Sequence, residues 1–240
     1  MGADQHTDWT EALASALEWW RDAGVDVAID EAPRNWLAPA PPRVAATAPE
    51  AEPEVAPAVL PTTLEAFATW RTSAAVPETA WGTPILPPEG PAGAELMVVI
   101  ECPEREDVAA GRLLSGATGR LFDAMLRAIG RDRSDIAITA VAAARPVSGR
   151  VPEAAAAQLA TIARHHVGLA APKAVLLIGN ATRALIGQEC ATARGALHAV
   201  NHDGGNTVAV ASFHPKLLLE RPERKADAWR DLQLLMKALN

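Results

Sequence analysis

The chain has 240 residues, 49% of them hydrophobic, with a formal net charge of -7, enough for one well-buried domain with appendages or at most two small domains. No apolar run approaches the roughly twenty residues of a membrane helix, and the acidic first thirty residues exclude the basic-then-apolar order of a signal peptide, so a cytoplasmic protein without a membrane partner is expected. Two cysteines, Cys102 and Cys190, with no CxxC pair and no Cys/His cluster, exclude a disulfide framework and any zinc or iron-sulfur site built from them alone, so no metal and no cofactor is expected. The charge is uneven: residues 1-90 hold four arginines against fourteen acids, net -10, and residues 91-240 hold eighteen Lys and Arg against fifteen acids, net +3. Such asymmetry fits a mildly basic domain facing nucleic acid behind an acidic arm.

In chain order, Asp8 to Gly24 places Trp9, Leu13, Leu17 and Trp20 near helical spacing, with Gly24 as a stop, which predicts one amphipathic helix. Residues 37-63 hold seven prolines among Ala, Glu and Val without a sustained period, the composition of an extended tether. A short helix from Thr63 to about Thr72 follows. Beyond it the pattern alternates: strand 96-100, helix 117-129, strand 135-141, an Ala-rich helix 152-170, strand 173-178, a helix from Asn180, strand 207-211 and a last helix 222-239. This predicts an α/β fold, a three-layer α/β/α sandwich with a mostly parallel central sheet. The organisation expected is an acidic helical segment 1-36, a linker 37-63 and an α/β domain 64-240. Continuous Val, Ile and Leu runs imply strands buried on both faces, so a ligand is expected outside their carboxyl ends.

At those ends stand Glu101-Cys-Pro-Glu-Arg-Glu-Asp107, Gly111-Arg112 with Gly116, and Ser212-Phe-His-Pro-Lys-Leu-Leu-Leu219. His214, at a strand terminus and followed by proline, is either a donor presented on a rigid loop or a satisfied structural histidine. Glu101 is either a water-positioning base or a partner for Arg105 or Arg112.

The order and spacing of these segments resemble the bacterial family-four uracil-DNA glycosylases. Ile100-Glu-Cys-Pro-Glu-Arg-Glu106 is similar to that family's Gly-Glu-Ala-Pro-Gly-Arg-Glu. Gly111-Arg-Leu-Leu-Ser-Gly116 with Gly119 and Leu121-Phe-Asp-Ala-Met-Leu126 resembles Gly-Arg-Pro-Phe-x-Gly-x-x-Gly and the Leu-Leu-Asp-x-Met-Leu helix. Ile138-Thr-Ala140 and Ala144-Arg-Pro146 are similar to Ile-Thr-Asn and Cys-Arg-Pro. Leu177-Ile-Gly-Asn-Ala-Thr-Arg-Ala-Leu185 resembles the Leu-Gly-x-Thr-Ala segment, and His214-Pro-Lys-Leu-Leu, Arg221-Pro and Trp229-x-Asp231 resemble the His-Pro-Ala-Tyr-Leu ending. The resemblance spans roughly residues 64-240.

It implies DNA repair by base excision: a hydrolase that breaks the N-glycosidic bond of a flipped uracil. His214 and Glu101 would be catalytic. Cys102, Pro103, Glu104, Leu114 and Ala140 would line the base site, and Arg112, Asn180, Thr182, Pro215, Lys216 and Leu217 would contact DNA. The sequence departs from the pattern where the family stacks and reads the base, with Leu114 for Phe and Ala140 for Asn, and Ile100 replaces the first glycine. Ala144 stands where the family has a cluster cysteine, so no iron-sulfur cluster is expected and the Ala-rich helix would pack in its place. The site is therefore expected to be divergent and its activity impaired. The alternative is a non-catalytic DNA- or protein-binding module on the same fold. The Trp-rich N-terminal helix is expected either to pack on the domain or to dock a protein partner.

Overall fold

The computed structural model describes residues 9-22 and 60-240. The chain divides after residue 56, and helix α1 (Trp9–Asp22) stands in the first part. Its Leu13, Leu17, Trp19 and Trp20 side chains are exposed, and the two indoles meet edge to face at 5.5 Å. The Trp9 side chain and the linker up to residue 59 lie outside the described residues.

The second part runs α2 (Leu64–Arg71), β1 (Leu96–Ile100), α3 (Arg105–Ala110), α4 (Gly116–Ala128), β2 (Ile136–Ala140), α5 (Glu153–Ala170), β3 (Ala174–Ile178), α6 (Ala181–Ile186), α7 (Cys190–Ala193), β4 (Leu197–His202), β5 (Gly205–Ser212), α8 (Pro215–Glu220) and α9 (Lys225–Leu239). The strands lie in the order β2-β1-β3-β5-β4. Neighbours among β2, β1, β3 and β5 are parallel, and β4 pairs antiparallel with β5.

Alternation along each strand sorts the side chains into two cores. Leu96, Val98, Ile100, Leu176 and Ile178 face α4 and α9, where Phe122, Leu126, Leu232 and Leu235 join them. Met97, Val99, Val175 and Leu177 face Phe67 of α2, Leu159, Ile162 and Val167 of α5, and Leu185 of α6. Strands β1 and β3 are buried throughout, as their unbroken apolar runs require, and the result is a three-layer α/β/α sandwich.

The β2 edge is covered by a strap from the segment before β1. Glu89 and Ile138 exchange backbone hydrogen bonds at 2.8 Å, and the Leu86 amide donates to the Ala143 carbonyl at 2.8 Å, which removes an open edge. A buried ion pair anchors the strap: Arg71 and Glu78 lie 2.6 Å apart. Arg71 donates to the Val141 carbonyl, and Glu78 accepts from the Ala143 amide.

Three features depart from the alternation read in the sequence. Strand β4 is an additional edge strand whose exposed and polar positions break the apolar run that marks the others. The short helices α3 and α7 are too brief to show a period. The last helix, expected over 222-239, begins as a 3-10 turn at Pro222, which lacks an amide proton, and continues as α9, while α8 before it is an additional short helix.

Candidate active site

The strand order reverses between β1 and β3: from β1 the chain goes to β2 on one side and then returns to β3 on the other. A crevice opens outside the carboxyl ends at such a point. Glu101 follows β1, Asn180 follows β3 by two residues, and His214 follows β5 by two. All three line one cavity of ≈ 430 Å³, together with Cys102, Glu104, Gly149, Glu189, Cys190, Phe213, Lys216 and Leu217. A second cavity of ≈ 520 Å³ shares Glu101, Asn180 and Glu189 and extends along α5, past Ala156, Ala157 and Ala160, to Arg164 and Arg183.

His214 is the N-cap of α8. Its Nδ1 accepts the Lys216 backbone N–H at 3.3 Å, so the neutral ring carries its proton on Nε2. Burial lowers the imidazole's pKa below the usual histidine range; Glu104 and Asp107 oppose this by charge, and Lys216 adds to it. Gly179 lies beside the ring's root: its backbone is left-handed at φ +62°, and a Cβ there would meet His214 Cβ at 3.4 Å. Its amide donates to the Ser212 carbonyl at 2.9 Å, which ties the β3 and β5 ends together.

Charged side chains brace this edge, some of them, such as Arg194, without any sequence signal. Buried Asp107 accepts from the Glu104 amide at 2.9 Å and from the Ser115 amide at 2.6 Å. Arg145 donates to the Pro103 carbonyl at 2.8 Å and pairs with Glu104 at 3.4 Å, and Glu104 in turn holds the Lys216 ammonium at 3.2 Å. Asp231 of α9 accepts from Ser212 Oγ at 3.1 Å and from Arg194 at 2.7 Å, and the Arg194 guanidinium lies 3.8 Å from the Phe213 ring centroid. Burial raises the Asp231 carboxyl, against the pull of Arg194 and Ser212. In sequence such charges read as surface; Trp229-x-Asp231 was the one signal pointing at Asp231.

The expected site residues separate into two groups. His214, Glu101, Cys102, Glu104, Asn180, Lys216 and Leu217 share the cavity. Glu101 pairs with neither Arg105 nor Arg112: its Oε2 accepts from Asn180 Nδ2 at 2.8 Å. The other group lies off the walls. Leu114 and Ala140 are buried, 1% and 5% exposed, within the packing of the α4 and α9 face, since apolar side chains gain from leaving water. Leu114 takes a left-handed backbone, φ 51°, and its carbonyl accepts from Arg133. Thr182 is fully buried in α6, and Pro215 is buried at the start of α8, where its missing N–H costs nothing. Pro103 is buried and offers its carbonyl to Arg145. Arg112 is exposed and pairs with Glu89 at 3.5 Å.

The iron-sulfur cluster that the family resemblance brings to mind does not fit these residues. Ala144 is buried and bridges to Ile85 of the strap. Burial pushes the Cys102 thiol up to about 12 and raises that of Cys190, and these are the two cysteines of the sequence, short of a four-thiolate set. Among the described residues no three His, Cys, Asp or Glu side chains are grouped to hold a metal.

A family model, the uracil DNA glycosylase superfamily, matches residues 87–233. The chain belongs to the uracil-DNA glycosylase superfamily. A type-4 uracil-DNA glycosylase of Pyrobaculum aerophilum is 27% identical over 158 residues, covering 62% of this chain and 80% of the relative. A type-4 uracil-DNA glycosylase of Archaeoglobus fulgidus is 25% identical over 159 residues, covering 63% of this chain and 80% of the relative. The matched span of this uracil-DNA glycosylase homologue holds β1 to β5 and both loops that carry Glu101 and His214. No helix among the described residues is long and apolar enough to cross a membrane.

Proposed function

We propose that residues 64-240 form a DNA glycosylase domain that hydrolyses the N-glycosidic bond of a uracil-class base through His214 and Glu101, at a site altered from the family pattern. The observation that carries this reading is a half-buried, neutral histidine whose proton is held on Nε2 by its own helix cap, in one cavity with a strand-end carboxylate. As the base departs, negative charge grows on its O2. A fixed N–H donor there acts as an oxyanion hole, worth about 3–4 kcal/mol in comparable sites. Glu101 orients the water that adds to the sugar C1′ and takes its proton, and the base leaves with the bonding pair and is then protonated. The products are free base and an abasic sugar.

The electrostatics suit a neutral base inside the cavity. Its walls carry the carboxylates of Glu101, Glu104, Glu189 and Glu220 against one ammonium, Lys216, so phosphates are kept outside while an uncharged ring can enter. With Leu114 and Ala140 withdrawn into the core, the aromatic rings on the walls are those of Phe213 and His214. The loss of the family's stacking and amide contacts would cost about 2–6 kcal/mol in uracil selectivity if nothing replaced them. Residues 1-36 are read as an acidic helical segment, with exposed tryptophans suited to a protein partner, on a 37-63 tether.

The test is incubation of the purified chain with a uracil-containing oligonucleotide, scored for free uracil and abasic strands. Release of uracil is the expected outcome. Binding without release would make this the non-catalytic DNA-binding module instead, and neither binding nor release would overturn both readings.

A further inference from the structure

The residue that would read the base by an amide in this family is Ala140 here, and its methyl group is in the core. A different amide stands in the cavity. Asn180 is exposed at the end of β3, lines both cavities at the strand-order reversal, and makes no cap bond to its own helix. Its side chain is oriented: one Nδ2–H goes to Glu101 Oε2 at 2.8 Å. A carboxylate only accepts, so turning the amide over would set Oδ1 against a carboxylate oxygen and exchange a charge-assisted hydrogen bond for a repulsion. The remaining N–H and Oδ1 are thus a donor and an acceptor in fixed order.

We propose that Asn180, locked by Glu101, is the specificity-determining residue, and that it selects bases carrying an N–H beside a carbonyl. Uracil offers that edge at N3–H and O4, and hypoxanthine offers it at N1–H and O6. Cytosine and adenine present the reverse, a bare ring nitrogen beside an amino group. Hydrolytic deamination of cytosine or adenine converts the second edge into the first, so a fixed amide separates uracil and hypoxanthine from those two parents by one inverted hydrogen-bond pair. Thymine and guanine carry the same edge, so Asn180 sets uracil and hypoxanthine apart from cytosine and adenine alone, and no wall residue other than Phe213 and His214 is aromatic to enforce a pyrimidine-sized slot. This inference rests on the glycosylase reading above.

The experiment measures binding and base release for oligonucleotides that differ only in one unpaired uracil, hypoxanthine, cytosine or adenine, using the full chain, Asn180→Ala and Glu101→Gln. The wild type should favour uracil over cytosine and hypoxanthine over adenine by about tenfold to a hundredfold in binding or release. Asn180→Ala should bring both ratios close to one with an unchanged melting temperature, since Asn180 is exposed. Glu101→Gln, whose amide can pair with either end of Asn180, should lower the ratios as well as the rate. A wild type that neither binds nor releases any of these bases removes the glycosylase reading itself. A wild type that acts on uracil without discriminating against cytosine, or an Asn180→Ala variant that keeps the wild-type ratios, overturns this inference and leaves the glycosylase reading standing.

Discussion

At the scale of a residue, His214 shows how a backbone contact decides chemistry. Its side chain caps α8 through Nδ1, and that bond leaves Nε2 as the donor. Burial keeps the ring neutral, so a donor is available without the cost of placing a second cation near Lys216. Replacing it by alanine removes a contact that grows as the base departs, and turnover should fall by about two orders of magnitude or more, read as kcat on a uracil substrate. Stability should change little, because the cap it supplies is on a helix of 6 residues. An active enzyme indifferent to His214→Ala would sink the assignment of its role.

Among the elements, α5 carries a buried histidine that the proposed reaction does not use. His166 is 6% exposed, its ring centroid 4.7 Å from that of Phe67 of α2. Burial, then the positive charge of Arg71 and of His165, lower it from 6.5 to about 4. A histidine depressed in the folded state leaves stability intact above its unfolded value and removes it as pH falls, because the unfolded chain takes up the proton first. Between pH 6.5 and about 4 this residue should cost about 3 kcal/mol of stability. Urea midpoints across that range should slope more steeply for the wild type than for His166→Leu, and parallel slopes would refute the assignment. The same helix shows what sequence reveals and what it hides. The period of Leu159, Ile162 and Val167 is legible, as are the continuous runs of β1 and β3, since burial on both faces leaves only apolar residues. Strand β4 is masked by its exposed face, although the two-residue Asp203-Gly204 turn into Gly205 is a hairpin signal. Strand-end position likewise located Glu101 and His214, but whether Leu114, Ala140 and Thr182 faced cavity or core depended on packing that no local pattern encodes. The braces Asp107, Arg145 and Arg194 stayed hidden because an isolated charge looks like surface until its partner is known.

For the whole molecule, composition makes two statements that experiment can check. With two cysteines in 240 residues and no grouped metal donors among the described residues, purified protein should be colourless and hold no stoichiometric iron; a brown preparation would refute this. Charge is the other. Residues 1-60 hold three arginines and eleven acids, net -8, which leaves +1 for residues 61-240 out of the total of -7. DNA approaching the intact chain therefore meets a polyanion joined to a nearly neutral domain, and this repulsion acts over the Debye length, ~30 Å at 0.01 M salt and ~8 Å at 0.15 M. Deleting residues 1-60 removes the acids and none of the residues around His214, so the truncated domain should bind a short oligonucleotide more tightly at low salt. The advantage should shrink as salt rises, because screening weakens the repulsion in the intact chain at the same time as it weakens phosphate contacts in both. Fluorescence anisotropy over a salt series reads both curves. Curves that coincide at every salt concentration would show that the acidic arm has no electrostatic influence on DNA binding, and tighter binding by the intact chain would mean that the arm makes favourable contacts of its own.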